Sequence, residues 1–97
     1  MRIRFPKTRK VKLYTIAITE FPAQWATGDG SGGSEERIGT FKSKEECYMK
    51  CLTKRRNGKL ANGATVDAAT GKSCYCEYGQ TGRNGSRSWK NTFIRRS

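Results

Sequence analysis

Apolar and polar residues alternate in two short segments of the second half of the chain. The segments Gly63 to Asp67 (GATVD) and Ser73 to Tyr78 (SCYCEY) contain β-branched and aromatic residues, which favour strands. The five residues between them have the length of a hairpin connection. We therefore predict a hairpin here, a last strand within residues 88–94, and another strand at residues 11–18 (VKLYTIAI).

One short helix is predicted ahead of this hairpin. Ser43 can cap a helix that starts at residue 44, and Glu46 can complete the reciprocal capping box. The dipeptide Asn57-Gly58 tolerates the left-handed conformation that follows a helix end. The basic residues 54–56 favour the negative end of the helix dipole. These signals predict a helix from residue 44 to about residue 55.

Glycine content and charge indicate the domain organisation. Residues 27–34 (TGDGSGGS) include four glycines and no large side chain, which predicts a flexible Gly-rich loop. Residues 1–10 contain basic side chains and no acidic one, so we expect a basic N-terminal arm. A chain of 97 residues is too short for two ordinary domains, and we assign residues 11–97 to a single domain.

The four cysteines form two pairs whose members are spaced by a similar distance along the predicted helix and the predicted strand. Cys47 and Cys51 share one face of the predicted helix, and Cys74 and Cys76 share one face of the predicted strand. Each pair spans a similar length, about 6 Å along the helix and about 6.6 Å along the strand. We predict two side-by-side disulfides, either Cys47–Cys74 with Cys51–Cys76 or the crossed alternative. The fold class is then α+β, with one short helix disulfide-bonded onto a small, mostly antiparallel sheet.

A zinc site built from the same four cysteines is the competing interpretation. Zinc fingers and ribbons favour CxxC knuckles in turns, whereas this chain has CxxxC in a predicted helix and CxC in a predicted strand. The spacing therefore favours disulfides, and disulfides imply an oxidising, extracellular or lumenal compartment. The basic start of the chain is followed by no apolar segment of signal-peptide length. No run approaches the roughly 20 apolar residues of a membrane helix.

The charge of the chain favours a polyanionic partner. Lys plus Arg number 20 against 8 Asp plus Glu, which gives a net charge of +12, and mean hydropathy is −0.83. A chain this short and polar can bury only a small hydrophobic core, and such cores are usually stabilised by covalent cross-links. A surface this basic favours binding to an acidic polymer. The candidate polyanion-binding residues are Lys50, Lys54, Arg55, Arg56, Lys59, Arg83, Arg87 and Lys90.

Catalytic chemistry is not indicated. The chain has no histidine, and no group of residues supplies a nucleophile, a base and an orienting partner. We interpret residues 45–46 as helix-capping acids and residues 35–36 as solvated. Asp67 and Glu77 are expected to make cross-strand charge pairs. We predict a non-enzymatic protein with no cofactor and no metal site.

Two family resemblances follow from these motifs. The block from Phe41 to Ile94 combines the Cys47-x3-Cys51 spacing with the run Cys74-Tyr75-Cys76 and a late Trp89. It resembles small cysteine modules of invertebrate extracellular proteins related to the PAN/apple group. That resemblance implies a helix disulfide-bonded across an antiparallel sheet and a role in protein or carbohydrate binding. CxxxC followed by CxC is also similar to the cysteine-stabilised α/β motif of defensins and scorpion toxins.

Three functional hypotheses remain open at this point. The leading one is a secreted, basic binding module for sulfated glycans, other acidic polymers or extracellular partners. The second is a membrane- or channel-directed defence peptide. The third is an intracellular nucleic-acid-binding protein with zinc or reduced cysteines. The sequence Asn84-Gly85-Ser86 is an N-glycosylation acceptor motif, which is compatible with secretion.

Overall fold

A computed structural model describes residues 22–96 of the chain. The basic arm and the strand predicted at residues 11–18 lie outside these described residues. Within residues 22–96 the fold comprises one helix and nine short strands. In chain order they are β1 (Ala26–Thr27), β2 (Gly30–Ser31), β3 (Ser34–Thr40), α1 (Lys44–Cys51), β4 (Arg55–Arg56), β5 (Lys59–Leu60), β6 (Gly63–Asp67), β7 (Ser73–Tyr78), β8 (Gly82–Arg83) and β9 (Trp89–Phe93).

The main sheet has five strands in the order β1-β9-β6-β7-β3, and each neighbouring pair is antiparallel. The predicted hairpin is confirmed as β6 and β7, and the predicted last strand is confirmed as β9. Two smaller ribbons, β2 with β8 and β4 with β5, accompany this sheet. The α+β class predicted from the sequence is therefore correct.

The helix begins where the capping signal places it but ends earlier than predicted. The Ser43 hydroxyl accepts a hydrogen bond from the Glu46 backbone N–H, and the Glu46 carboxylate accepts one from the Lys42 N–H. The helix stops at Cys51 rather than near residue 55. Asn57 and Gly58, with φ angles of 53° and 80°, instead form the two-residue turn between β4 and β5. An Asn-Gly pair is a preferred turn of such a hairpin. Because β4 pairs with β5, residues 55–56 are extended and do not continue the helix.

The hydrophobic core lies between α1 and one face of the main sheet. Successive strand residues point to opposite faces, so Cys74 and Cys76 face the helix with Ala64 and Val66 of the neighbouring strand. All four are buried. The small side chain of Ala64 allows α1 to approach the sheet closely enough for direct disulfide bonding. Tyr48 of the helix and Tyr78 of β7 extend this core.

The other face of the main sheet is covered by the ribbon of β2 and β8. Residues 27–34, predicted as a Gly-rich loop, include strand β2 and contribute to the ends of β1 and β3, so a loop without strands is not what the structure shows. A Cβ at Gly30 would lie 2.7 Å from both the Gln80 side-chain oxygen and the Glu77 carboxyl carbon. Only glycine allows the ribbon to lie this close to the polar side chains beneath it.

Candidate functional site

Two disulfides join α1 to β7. Cys47 bonds to Cys74 with a Cα–Cα distance of 5.5 Å, and Cys51 bonds to Cys76 with a Cα–Cα distance of 5.4 Å. The side-by-side prediction is confirmed, in the uncrossed form. All four cysteines are used in this way, and no free cysteine occurs in residues 22–96. The alternative in which the four thiolates bind zinc is therefore wrong for this structure.

Four basic residues meet at the hairpin that follows the helix. Arg55, Arg56 and Lys59 are exposed on β4 and β5, and Lys54 precedes them half-buried. We call these four residues the hairpin cluster. The two-residue turn folds the chain back, so that Arg56 pairs directly with Lys59. The basic residues 54–56, which were predicted to lie at the end of the helix, instead lie in or next to a two-stranded ribbon. Together with Lys59 they form a compact basic surface.

The arginines of the hairpin cluster donate hydrogen bonds to backbone carbonyls. The Arg55 guanidinium binds the Gly58 carbonyl oxygen at 3.1 Å, and the Arg56 guanidinium binds that of Glu35 at 2.9 Å. The one ion pair within 4.0 Å in residues 22–96 joins Lys44 to Glu45. The two arginines are therefore held by neutral acceptors, and no carboxylate of residues 22–96 lies within 4.0 Å of a cation of the hairpin cluster.

A groove of about 300 Å³ lies beside the hairpin cluster. Arg56 and Lys59 line one side, and Gly33, Tyr78 and Gly79 line the other. The Tyr78 hydroxyl donates a hydrogen bond to the Glu36 carboxylate at 2.9 Å. Burial, with a further contribution from Glu36, raises the pKa of Tyr78 to about 12, so its hydroxyl stays protonated. The groove therefore combines two cations with the Tyr78 ring, and the Glu36 carboxylate is held next to it by the Tyr78 hydroxyl.

The remaining predicted polyanion-binding residues lie on other elements. Lys50 is exposed on α1, with its ammonium 5.8 Å from the centre of the Phe41 ring. Lys90 lines a second cavity of about 310 Å³ together with Lys44 and the β6–β7 turn. That cavity and the hairpin groove flank opposite ends of β7, a strand roughly 17 Å long at about 3.4 Å per residue.

Arg83 and Arg87 also lie away from the hairpin cluster. The Arg83 guanidinium stacks 5.3 Å from the centre of the Phe93 ring and contacts the Asn91 side-chain and backbone oxygens. Arg87 is exposed in the connection from β8 to β9. The eight predicted residues therefore form one cluster of four and four dispersed cations, a division that the sequence did not reveal.

Arg96 has a structural role that sequence reasoning missed. Its guanidinium donates hydrogen bonds of 2.6 Å to the carbonyl oxygens of Leu52 and Ala61. These contacts satisfy an acceptor at the end of α1 and connect it to the chain leading into β6. The run of basic residues at the end of the chain gave no signal of this contact, because its partners are 35 and 44 residues away.

Glu77 is buried in a polar network on the ribbon-covered face of the sheet. It is 1% exposed, and its carboxylate accepts a 2.6 Å hydrogen bond from the Thr65 hydroxyl. Thr65 in turn accepts from the Asn91 amide, which also contacts Gln80. The expected cross-strand charge pair is wrong, because the residue opposite Glu77 on β3 is Glu35.

Like charges therefore surround the Glu77 carboxyl group. Carboxylate oxygens of Glu77, Glu35 and Asp29 lie within 4.8 Å of one another. Burial, reinforced by the hydrogen bond and the negative charge of Glu35 and by the charge of Asp29, raises the pKa of Glu77 to about 7. Oxygen donors grouped in this way are the kind that hard cations prefer, but a group that holds a proton near neutrality is a weaker ligand.

Asp67 closes the β6–β7 turn and makes no cross-strand charge pair. Its carboxylate accepts hydrogen bonds from the backbone N–H groups of Thr70, Lys72 and Ser73, at 2.7, 3.2 and 2.9 Å respectively. The Thr70 hydroxyl donates another at 2.7 Å. These donors, led by the Thr70 hydroxyl, hold the pKa of Asp67 well below its usual range. This carboxylate is a turn-forming group.

Comparisons with protein-family models, with curated proteins and with solved structures found no match to this chain.

Proposed function

We propose that this protein is a non-enzymatic, secreted binding module that holds acidic polymers, such as sulfated glycans, on the hairpin cluster. The observation that carries the proposal is the cluster itself: three of its cations lie on one two-stranded ribbon, Lys54 directly precedes that ribbon, and no carboxylate of residues 22–96 forms an ion pair with any of the four. Surfaces of one sign attract polymers of the other and concentrate them by long-range forces.

The charge balance of the described region supports this proposal. Residues 22–96 hold 14 Lys and Arg residues against seven Asp and Glu residues. Three of the seven acids, Asp29, Glu35 and Glu77, have their carboxylate oxygens within 4.8 Å of one another, and the carboxylate of Asp67 accepts the hydrogen bonds of the β6–β7 turn. These four acids are held away from the hairpin cluster, and Glu36 is the acid that lies near its groove, bonded to the Tyr78 hydroxyl.

Secretion is supported by the two disulfides. Both are buried and link the helix to the sheet, and such structural disulfides persist in oxidising compartments. No helix within residues 22–96 has the length and apolar character needed to cross a membrane. We therefore place the proposed binding event outside the cell.

Kinship with the PAN/apple group remains part of this proposal. A helix held across an antiparallel sheet by two disulfides is what that resemblance implies, and such an arrangement also fits unrelated small secreted domains. The cysteine-stabilised α/β resemblance implies a second candidate, a peptide acting on anionic membranes. The observation that favours it is the helix-to-strand pairing of CxxxC with CxC.

The proposal is tested by reversing three charges at two different places, in two variants of equal net charge. The test variant carries Lys54→Glu, Arg55→Glu and Arg56→Glu, which lowers the net charge from +12 to +6. The control variant makes the same change at three exposed cations elsewhere, Lys42, Lys72 and Arg87. Circular dichroism and thermal unfolding establish that both variants keep the fold. Affinity for heparin is then measured as a function of salt.

We expect the test variant to bind heparin at least about tenfold more weakly than the control, and with a shallower salt dependence, because fewer counterions are released. Equal affinity of the two variants would contradict the proposal, since net charge alone would then explain binding. Vesicles of anionic lipid and double-stranded DNA, used with the same variants, test the membrane-active and nucleic-acid alternatives. Either alternative is preferred if its probe binds more tightly than heparin at the same salt concentration.

A further inference from the structure

The connection between β8 and β9 contains the one N-x-Ser/Thr sequence in the 97 residues, Asn84-Gly85-Ser86. Such a sequence is the acceptor motif for N-linked glycans in secreted proteins. A motif of three residues often occurs by chance, so the exposure and hydrogen bonds of the Asn84 side chain decide whether it can accept a glycan. Both the hydrogen bonds of the Asn84 amide and the exposure of its surroundings bear on this.

The Asn84 side chain is held by its oxygen, and its nitrogen is left available. Its Oδ1 accepts backbone N–H hydrogen bonds from Asp29 at 3.0 Å and from Ser86 at 2.9 Å. Only the oxygen of an amide can accept these donors, so the orientation of the group is fixed. Nδ2 lies on the opposite side of Cγ and makes no hydrogen bond within residues 22–96.

The surroundings of Asn84 are open. Asn84 and Gly85 are exposed, and a Cβ built at Gly85 would meet no atom within 4 Å. By contrast, Asn62 and Asn91 donate their Nδ2 hydrogens to Gln80, Ala64 or Thr65 inside the fold. Only Asn84 therefore combines the acceptor sequence with a free and exposed amide nitrogen.

We infer that Asn84 is an N-linked glycosylation site, an inference that relies on the secretion included in the proposed function. The donor is a lipid-linked glycosyl diphosphate. The Asn84 Nδ2 forms a bond to C1 of the first sugar, the bond from C1 to the diphosphate oxygen breaks, and one Nδ2 proton is released. Because Oδ1 keeps its two hydrogen bonds in the product, the glycan attaches without disturbing the connection.

The inference also bears on two of the predicted polyanion-binding residues. Arg83 and Arg87 flank the glycan in sequence, and a bulky hydrated sugar chain there covers surface near them. The hairpin cluster belongs to different strands.

The experiment uses the full chain, secreted through an added cleavable signal from cultured eukaryotic cells whose other secreted proteins carry N-linked glycans. Intact mass and peptide mapping measure occupancy at Asn84. The variants are Asn84→Gln, Ser86→Ala and Ser86→Thr, with Ser88→Ala as the matched control two residues beyond the motif. Thermal unfolding of each variant accompanies the mass measurement.

We expect a glycan mass on the Asn84 peptide of the wild type, its loss in Asn84→Gln and Ser86→Ala, and its retention in Ser86→Thr and Ser88→Ala. A wild-type protein secreted at its unmodified mass overturns the inference. Heparin affinity, measured on the glycosylated protein and on Asn84→Gln, reports the proposed function separately. Absence of heparin binding by glycosylated protein would contradict the polymer-binding proposal and leave the glycosylation site intact.

Discussion

Replacing Glu77 by glutamine should remove the pH dependence that this carboxyl group gives to stability between about pH 4.5 and 7. The carboxyl group is 1% exposed and faces Glu35 across the strand pair, with Asp29 also nearby. Glutamine has the same shape and is always neutral. Its oxygen can accept the hydrogen bond of the Thr65 hydroxyl, and its amide can donate to the Glu35 carboxylate.

The magnitude follows from the pKa of Glu77, which is raised to about 7 in the folded protein from an ordinary value of 4.5. Below about pH 4.5 the group is protonated in both the folded and unfolded states, and it costs no stability. Between 4.5 and 7 the folded state binds a proton that the unfolded state releases, so stability falls as pH rises. The full loss, above pH 7, is about 3 kcal/mol at 1.36 kcal/mol per pKa unit.

Urea unfolding followed by tryptophan fluorescence at pH 4.5, 6 and 8 tests this reasoning. We expect Glu77→Gln to equal the wild type at pH 4.5 and to exceed its free energy of unfolding by about 3 kcal/mol at pH 8. Glu35→Gln is an informative control, because burial is the largest cause of the shift. It should reduce the pH dependence without removing it. An unchanged difference between the wild type and Glu77→Gln at all three pH values would refute the argument.

Three further expectations concern the elements that hold the fold. Cys51→Ser opens a cross-link between residues 25 apart in sequence and should cost about 3–4 kcal/mol in denaturant unfolding; a denaturant midpoint equal to that of the wild type would show that the disulfide is dispensable. Asp67→Ala should destabilise the turn by about 2 kcal/mol at pH 6, with a smaller penalty as pH falls below 4, since the depressed pKa of Asp67 means that its contribution is lost on protonation. Gly33→Ala should be far more destabilising than Gly71→Ala: the two φ angles are 66° and 71°, but a Cβ at Gly33 overlaps the Tyr78 carbonyl oxygen and one at Gly71 meets nothing within 4 Å. Equal midpoints for the two glycine variants would mean that the close approach of β3 to β7 is not needed.

Local spacing was sufficient to predict the disulfide-bonded helix and hairpin. Four residues advance a helix by about the length of two residues in a strand, so cysteines at 47 and 51 can match cysteines at 74 and 76 without knowledge of any other contact. The N-terminus of α1 and the bounds of β6 and β7 follow from nearby residues for the same reason. Helix-capping and turn-forming side chains bond to backbone groups only a few residues away in the chain.

The end of α1 shows where a local signal has two interpretations. Asn57-Gly58 can follow a helix end or form the turn of a hairpin, because both require positive φ. The structure selects the hairpin, and Arg56 reaches the Glu35 carbonyl, 21 residues away, from β4. The composition of the hairpin cluster therefore depends on contacts that the local sequence does not contain.

The environment of Glu77 was decided by tertiary structure alone. Alternation in β7 places Glu77 on the face of the sheet opposite the cysteines. From the sequence alone, a carboxylate on that face is expected to be exposed to solvent. Burial comes from the β2–β8 ribbon, which pairs Gly30 with Arg83 and lies over the network because Gly30 has no side chain. Sequence by itself determined the covalent frame and the sign of the surface charge, since both depend on composition and short-range geometry. Only the tertiary structure decided which charges meet and which are buried, because these depend on strand pairings between residues far apart in the chain.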